Sequence, residues 1–329
     1  MKLFSEHFAE LKSDEQLEAL HMEFPQYDIA YLVQGAYGLR RHTKEWMESM
    51  WTLYEPYADP HFLKEFKRHF TQRSWELYLG VTLLNHGFKL GEHKSAGADF
   101  DVQDVNGERI MWIEAIAVNP GDGADRVPDH AYEVVRSIPV DEMLLRVAAA
   151  LDTKHKKYLS DVKNDFVAKT EAYVIAIDRS ELGHVEIPPS LILKALFGVG
   201  HQTLSFPVPA MDEPSRSVEP KRSWGALPEI SKKSGNPVSM RFFENPAHAG
   251  ISAVIYSVPH VINSPRLPDE MGEHFYVVHN PHAINPIPFG VLPFGEEYRV
   301  DEDVINIIRE RMAYQSPDPF EYLATSNEE

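Results

Sequence analysis

The segment at residues 172–178 constrains the fold more than any other part of the chain. It reads AYVIAID and is apolar almost without interruption. A strand with one face in water alternates apolar and polar residues, whereas a strand covered on both faces is apolar throughout. This segment therefore predicts a strand inside a sheet that helices cover on both sides, which is the arrangement of an α/β fold.

The residues before this strand predict a helix and a hairpin. Residues 73–86 are apolar on most sides, as in a buried helix, and Gly87 ends the run. The Asn106-Gly107 pair is a strong turn signal between two strand-like runs. Three strands are therefore expected, near 88–90, at 98–105 and at 110–118.

Two more helices are expected on either side of residues 172–178. The acidic pair Asp141 and Glu142 begins a segment with helical spacing of apolar residues that extends over about 139–167. A shorter helix is predicted at 189–197. The order of elements is then helix, three strands, helix, strand, helix.

The chain divides into four segments by composition and pattern. Residues 201–246 are rich in proline, serine and charge, which predicts an irregular insertion. Later residues predict strands at 253–258 and 275–279 and a terminal helix at about 302–313. The predicted organisation is a helical N-terminal cap at 1–70, a central core at 71–200, the insertion at 201–246 and a C-terminal α+β extension at 247–329.

Composition limits the chemistry of the chain. It contains no cysteine, so any bound metal must be held by carboxylate or imidazole groups. The first residues lack the apolar core of a signal peptide and no run is long enough for a membrane span, so we expect a cytoplasmic protein without a membrane partner. The net charge of -18 opposes general attraction to phosphate backbones.

Three acidic residues stand out in this sequence. Two lie within apolar runs that ordinarily exclude charge, and the third can share a sheet face with one of them. Glu76 lies within the apolar helix, and Glu114 lies in the middle of the run MWIEAIAV. Asp99 lies near the start of the neighbouring strand, and alternation along the two strands allows it to lie on the same face as Glu114. A cluster of three carboxylates requires a cation to offset their repulsion, and oxygen ligands favour Mg²⁺ or Mn²⁺.

The pattern S-W-E, then G-A-D-F, then W-I-E-A resembles the PD-(D/E)XK nuclease superfamily over residues 72–198. The resemblance implies a restriction-endonuclease-like α/β fold with a mixed sheet flanked by helices. It implies metal-dependent hydrolysis of phosphodiester bonds, with Mg²⁺ or Mn²⁺ bound by Glu76, Asp99 and Glu114. It also implies a nucleic-acid partner, for which the acidic composition predicts low affinity.

Two positions depart from the family pattern. Ala98 replaces the usual proline, and Ile116 stands where the motif lysine is expected. That lysine would position or deprotonate the attacking water and neutralise developing charge. The helix at 139–167 offers basic replacements on one stripe, and Lys154 is our candidate for the catalytic lysine, with Arg146 and Lys157 as further possible members of the site.

Other interpretations remain open at this stage. Asp101 is an alternative to Asp99, and Glu76 is also able to pair with Arg73 or Lys89. The histidines around 279–282 lack the spacing of a metal site and are interpreted as loop residues. The chain as a whole is open to two further interpretations: a decayed nuclease fold that serves interaction or regulation, and a hydrolase of a small phosphate ester.

Overall fold

The computed structural model describes residues 1–6, 8–92, 97–129, 137–186, 190–205, 221–301 and 304–309. Within these ranges the α-helices are α1 (Asp14–Glu23), α2 (Ile29–Ala36), α3 (Arg41–Tyr54), α4 (Phe62–Phe66), α5 (Phe70–Asn85), α6 (Val140–Lys163) and α7 (Leu191–Phe197). The strands are β1 (Lys89–Leu90), β2 (Phe100–Gln103), β3 (Arg109–Ala117), β4 (Tyr173–Asp178), β5 (Val199–Ser205), β6 (Lys221–Ala226), β7 (Glu229–Ser231), β8 (Pro237–Ser239), β9 (Ala253–Ser257), β10 (Tyr276–His279), β11 (Glu296–Asp301) and β12 (Val304–Arg309).

Eight of these strands form one mixed sheet in the order β1-β2-β3-β4-β9-β10-β11-β12. Strands β3, β4 and β9 run parallel to one another, and β10 is parallel to β11. The other neighbours pair antiparallel. The predicted α/β architecture with a mixed sheet flanked by helices is therefore confirmed, and the C-terminal strands continue the same sheet.

Strand β4 lies inside this sheet and is covered on both faces, as its apolar sequence predicts. Val174 and Ala176 pack into a core formed with α5 and the N-terminal helices. Ile175 and Ile177 pack into a second core formed with α6 and α7. All residues of β4 are buried, so the alternation of side chains feeds two separate apolar layers.

Helix α5 is the central element of the first layer. It is buried on most of its surface, and the indole of Trp75 donates a hydrogen bond to the main-chain oxygen of Ala176 in β4, 3.2 Å away. The absence of a side chain at Gly80 allows α3 to pack closely against α5, because a Cβ atom there would lie 2.5 Å from the Tyr54 ring. This close packing places the side chains of α3 and α5 beside the end of β2.

The hairpin between β2 and β3 is formed by local hydrogen bonds. The side chain of Asp104 accepts hydrogen bonds from the main-chain N–H groups of Asn106 and Glu108, at 2.8 and 2.9 Å. Gly107 has a φ of +87°, which L side chains rarely adopt. The turn fixes the register in which Phe100 lies opposite Ile113.

The segment at 201–246 is more regular than its composition predicts. Strands β5 and β6 form one antiparallel pair, and β7 and β8 form another. The second pair turns at Gly235, whose φ is +85°. Pro237 begins β8, where a missing N–H is tolerated at the edge of a pair. The prediction of an irregular insertion is therefore wrong for the described residues, although 206–220 lie outside them.

The predicted terminal helix is also wrong where the structure describes it. Residues Val304–Arg309 form β12, which pairs antiparallel with β11. Their sequence VINIIR is rich in β-branched residues, which favour strands. The preceding acidic residues resemble the first turn of a helix and explain the incorrect prediction. The remainder of the predicted helix lies outside the described residues. The interpretation of His279 as a loop histidine is wrong as well, because it ends strand β10 and is buried.

Candidate active site

The site forms where β3 extends beyond the end of β2. Continuing the register of Phe100 and Ile113 by one residue sets Asp99 beside Glu114. Beyond this point β3 loses its partner on that side. The N–H of Ala115 donates to Asp99 Oδ2 at 2.7 Å. Asp99 is therefore held in place by the open edge of the strand that carries Glu114.

Gln72 of α5 completes the same edge. Its Oε1 accepts a hydrogen bond from the N–H of Ala117 at 2.7 Å, and its Nε2 donates to the oxygen of Ala115 at 3.4 Å. These bonds satisfy main-chain groups that a longer β2 would otherwise pair. Gln72 thus fixes α5 to β3 beside the carboxylates, a role that sequence analysis did not identify.

Glu114 is one of two deeply buried acids of the site, the other being Glu76. Glu114 is only 4% exposed, and its Oε1 lies 2.6 Å from Lys154 Nζ. Its Oε2 is buried and has no hydrogen-bond partner. Burial and the negative charge of Asp99 raise the pKa of Glu114 to about 7, while Lys154 opposes the shift.

Lys154 points inward from α6, as the basic stripe predicts. Its side chain is 16% exposed and forms an ion pair with Glu114. Burial disfavours its charge, but Glu114, Asp99 and Glu76 outweigh that effect and raise the pKa of Lys154. A lysine from the neighbouring helix thus lies beside Glu114, and its raised pKa keeps it protonated near neutral pH.

Glu76 is buried but already has partners on both oxygens. Tyr54 donates to its Oε1 at 3.1 Å, and Arg73 contacts its Oε2 at 2.5 Å. Burial and the charge of Asp99 raise the pKa of Glu76 to about 8, while Arg73 and Tyr54 act in the opposite direction. The pairing with Arg73, considered above as an alternative, is the one that the structure contains.

Asp101 does not substitute for Asp99. Both of its oxygens accept hydrogen bonds from Arg109, at 2.6 and 2.7 Å. Arg109 also pairs with Glu171 and lies over the ring of Trp112, 4.0 Å from its centroid. This cross-strand arrangement holds Asp101 in a separate ion-pair network. The alternative in which Asp101 replaces Asp99 as a metal ligand is therefore wrong.

The other two basic candidates act at the borders of the site. Arg146 donates to the main-chain and side-chain oxygens of Asn119, at 2.9 and 2.7 Å, and so braces the loop after β3. The prediction that Arg146 faces the acidic residues of the site is therefore wrong. Lys157 donates to the oxygen of Gly97 at 2.7 Å and pairs with Asp161. It holds the segment that leads into Asp99, and its charge lowers the pKa of Glu114.

Tyr173 is a further residue that sequence analysis missed. Its hydroxyl and Glu114 Oε2 are both buried without a hydrogen bond of normal geometry. Burial raises the pKa of Tyr173, and the charge of Glu114 and a hydrogen-bonding interaction between the two side chains raise it further. Ile175 lies opposite Glu114 in the parallel pair of β3 and β4, so Tyr173 shares this face by alternation. Alternate residues of the segment AYVIAID lie on the same face of the sheet, and this alternation is the sequence signal that could have identified Tyr173.

The carboxylate oxygens available at this site suit a cation that takes few ligands from the protein. In the described part of the chain, no group of three or more acidic or histidine side chains is arranged to hold a metal ion. Mg²⁺ commonly keeps several waters and takes only one or two carboxylates. Asp99 and the unpaired Oε2 of Glu114 fit such a site, whereas the oxygens of Glu76 are engaged by Arg73 and Tyr54.

No helix within the described ranges has the length and apolar character needed to cross a membrane. Comparison with known proteins places no further constraint on the site: no family model, curated protein or solved structure matches the chain.

Proposed function

We propose that the chain is a metal-dependent phosphodiester hydrolase with a PD-(D/E)XK-type site. The observation that carries the proposal is the contact between Lys154 Nζ and Glu114 Oε1 at 2.6 Å. The family pattern needs a lysine beside the third-strand acid, and Ile116 cannot supply it. A lysine from α6 stands beside that acid, from where it would take over this role.

Asp99 and Glu114 would hold Mg²⁺ or Mn²⁺. Such an ion polarises phosphoryl oxygens and lowers the pKa of a bound water. The residues fit because Glu114 Oε2 is a buried acceptor without a partner, and buried polar atoms are ordinarily satisfied. Asp99 is oriented by the N–H of Ala115, which leaves its other oxygen to a ligand.

Lys154 would stabilise negative charge on the phosphate. Because its pKa is raised, it is a donor and a cation near neutral pH and does not act as the base in this state. A preorganised cation in a site of low water content stabilises a charged transition state strongly. Its long stem reaches from the helix to the strand while its ammonium stays at the acids.

Glu76 would act as a positioning residue. Its carboxylate is held by Tyr54 and Arg73 and interacts with Asp99 through its charge. It therefore orients the α3 and α5 side of the site, and it would ligate the ion only if the Arg73 contact were released.

The charge of the chain favours a second candidate substrate. A net charge of -18 weakens non-specific binding to nucleic acid. Hydrolysis of a small phosphate diester needs no extended basic surface, and the same carboxylates and Lys154 would serve it. Nucleic acid remains the substrate that the resemblance implies.

Cleavage assays with matched lysine variants test the proposal. Labelled single- and double-stranded DNA and RNA, and bis(p-nitrophenyl) phosphate, are incubated with Mg²⁺ or Mn²⁺. Lys154→Ala should lower the rate by roughly 10²–10⁴-fold, as is typical of losing a proton-transfer or charge-stabilising group. Lys156→Ala should change it little, because the Lys156 side chain is 71% exposed and pairs with Asp152 on the surface of α6.

Calorimetric titration with Mn²⁺ separates an active site from a decayed one. Binding should occur and should be abolished by Glu114→Ala, with circular dichroism confirming that the variant is folded. If the wild-type protein binds no Mn²⁺, or if the two lysine variants cleave equally, the hydrolase proposal fails and the non-catalytic interpretation replaces it.

A further inference from the structure

A small pocket lies between the start of α6, helix α7 and the start of β5, in a part of the fold that the proposed hydrolase site does not use. It has a volume of about 30 Å³, and its lining includes Val140, Met143, Leu191, Lys194 and His201. Because one water needs about 10–15 Å³ of such space, the pocket has room for a group of about two or three non-hydrogen atoms.

Lys194 is a buried lysine without an ion pair in the described part of the chain. The residue is only 2% exposed. Burial lowers the pKa of its amine, and the charge of Glu186 opposes this shift without a hydrogen bond to the lysine. Lysine is almost never fully buried unless it is paired. The position of Lys194 therefore has no explanation in a stabilising ion pair.

Glu186, whose charge acts on Lys194, is already held by other groups. Its Oε1 accepts a hydrogen bond from the N–H of Leu191 at 2.7 Å. Its Oε2 lies 3.0 Å from Nε of Arg179 and accepts a hydrogen bond from the Tyr256 hydroxyl at 3.1 Å. Arg179 is itself 2% exposed, so moving Glu186 to Lys194 would break a buried ion pair, which is costly. Glu186 therefore stays with Arg179.

The amine of Lys194 opens onto the pocket. Its Nζ is not one of the fully enclosed polar atoms that lack a partner, so its small accessible area lies on the cavity that the residue lines. Among the described residues, the other lining side chains are aliphatic or thioether groups, except the imidazole of His201. A molecule that enters the pocket therefore meets one desolvated amine and an apolar wall.

We propose that Lys194 is a nucleophile that condenses with a small aldehyde or ketone in this pocket. The lone pair of Nζ bonds to the carbonyl carbon, the electrons of the C=O π bond move to oxygen, and a proton passes from nitrogen to that oxygen. The nitrogen then forms a double bond to carbon and gives up its second proton, and the hydroxyl group leaves with that proton as water. Amine and carbonyl compound thus give an imine and one water. His201 lines the same pocket, and imidazole is the commonest side chain for such proton transfers.

The apolar lining favours a neutral carbonyl compound over an anion. The neutral amine is the reactive form of lysine, and an apolar pocket activates lysine for imine formation. An anion would instead require the charged ammonium, which burial disfavours. In the described part of the chain, no arginine and no second lysine lines the pocket. This site is independent of the proposed hydrolase activity.

Reductive trapping on the full chain tests the proposal. Acetaldehyde is the probe, cyanoborohydride reduces any imine to a stable secondary amine, and peptide mass spectrometry measures the labelling rate of each lysine. At about pH 7, Lys194 should be labelled at least roughly 10-fold faster than Lys156, because each unit of pKa changes the neutral fraction of an amine about tenfold. Lys156 is a suitable reference, since its side chain is 71% exposed. The advantage of Lys194 should shrink towards about pH 10, where exposed lysines also lose their proton.

Matched variants and a larger probe assign the reaction to the pocket. Lys194→Met should abolish the fast phase of labelling in intact-mass measurements, whereas Lys156→Met should keep it. Methionine suits an apolar site, and circular dichroism checks that the variant is folded. With the branched pivalaldehyde, which is too bulky for the pocket, the preference for Lys194 over Lys156 should disappear.

Three results would each overturn the proposal. The first is that acetaldehyde labels Lys194 no faster than Lys156 at about pH 7. The second is that Lys194→Met retains the fast phase. The third is that pivalaldehyde shows the same preference for Lys194 as acetaldehyde does.

Discussion

Replacing Lys154 by methionine tests whether the lysine and Glu114 form a buried, mutually dependent pair. Methionine keeps the length of the stem and removes the ammonium. In the wild type, Glu114 Oε1 is bonded to Lys154 and Oε2 has no partner. The variant therefore leaves a carboxylate that is 5% exposed with no positive charge in contact.

The size of the effect follows from this burial. Removing one partner of a buried ion pair costs about 3–5 kcal/mol. Because Lys154 keeps 16% of its side chain exposed, we expect the lower end, about 3 kcal/mol near pH 8. The loss should shrink near about pH 5.5, since Glu114 escapes the penalty by binding a proton, and its pKa of about 7 rises further without the lysine.

Urea unfolding followed by tryptophan fluorescence, at both pH values, measures these changes. The double variant Lys154→Met/Glu114→Gln should regain most of the lost stability, because the glutamine is neutral. Lys156→Met should change stability by no more than about 0.5 kcal/mol, as expected for an exposed pair. The reasoning is refuted if Lys154→Met unfolds like the wild type near pH 8 or if the double variant is no more stable than the single one.

Two further predictions concern pH and backbone geometry. The pKa values of Glu76 and Glu114, about 8 and about 7, lie above the ordinary value of 4.5. Between these values the folded protein therefore holds protons that the unfolded chain has released. The free energy of unfolding should fall as pH rises from about 4.5 to about 8. Glu114→Gln should flatten this slope in urea titrations, and a slope that is unchanged or steeper would contradict the assignment. Gly295→Ala should destabilise the protein by about 3 kcal/mol or more, because its φ is +35° and a Cβ would lie 2.1 Å from the main-chain oxygen of Phe275. Gly290 has a φ of +79°, but no atom lies within 4 Å of a Cβ placed there. Gly290→Ala should therefore lower the free energy of unfolding by only about 1 kcal/mol in thermal unfolding. Equal losses for the two variants would disprove the steric argument.

Local patterns in the sequence predict much of this site. The Asn106-Gly107 turn and the alternation along β2 and β3 are short-range features, and they suffice to bring Asp99 beside Glu114. The helical stripe that directs Lys154 inward is equally local, since residues three and four apart share a helix face.

The partners of the predicted residues are less accessible from sequence. Tyr54 reaches Glu76 through the packing of α3 on α5, which no local pattern encodes. Asp101 has the same parity as Asp99, yet the position of Arg109 across the strand pair removes it from the site. Alternation identifies which residues share a face, but the choice among them depends on tertiary contacts.

The pairing of β4 with β9 has a consequence for synthesis of the chain. Val174 pairs with Ala253, and about 80 residues between them take roughly 4–16 seconds to emerge at about 5–20 residues per second. During that interval the most apolar strand of the sheet has one edge without its partner, and an exposed apolar edge is a template for pairing with other chains. Nascent chains that stop near residue 200 should therefore associate or recruit chaperones, and slow translation through 180–250 should reduce the yield of native protein.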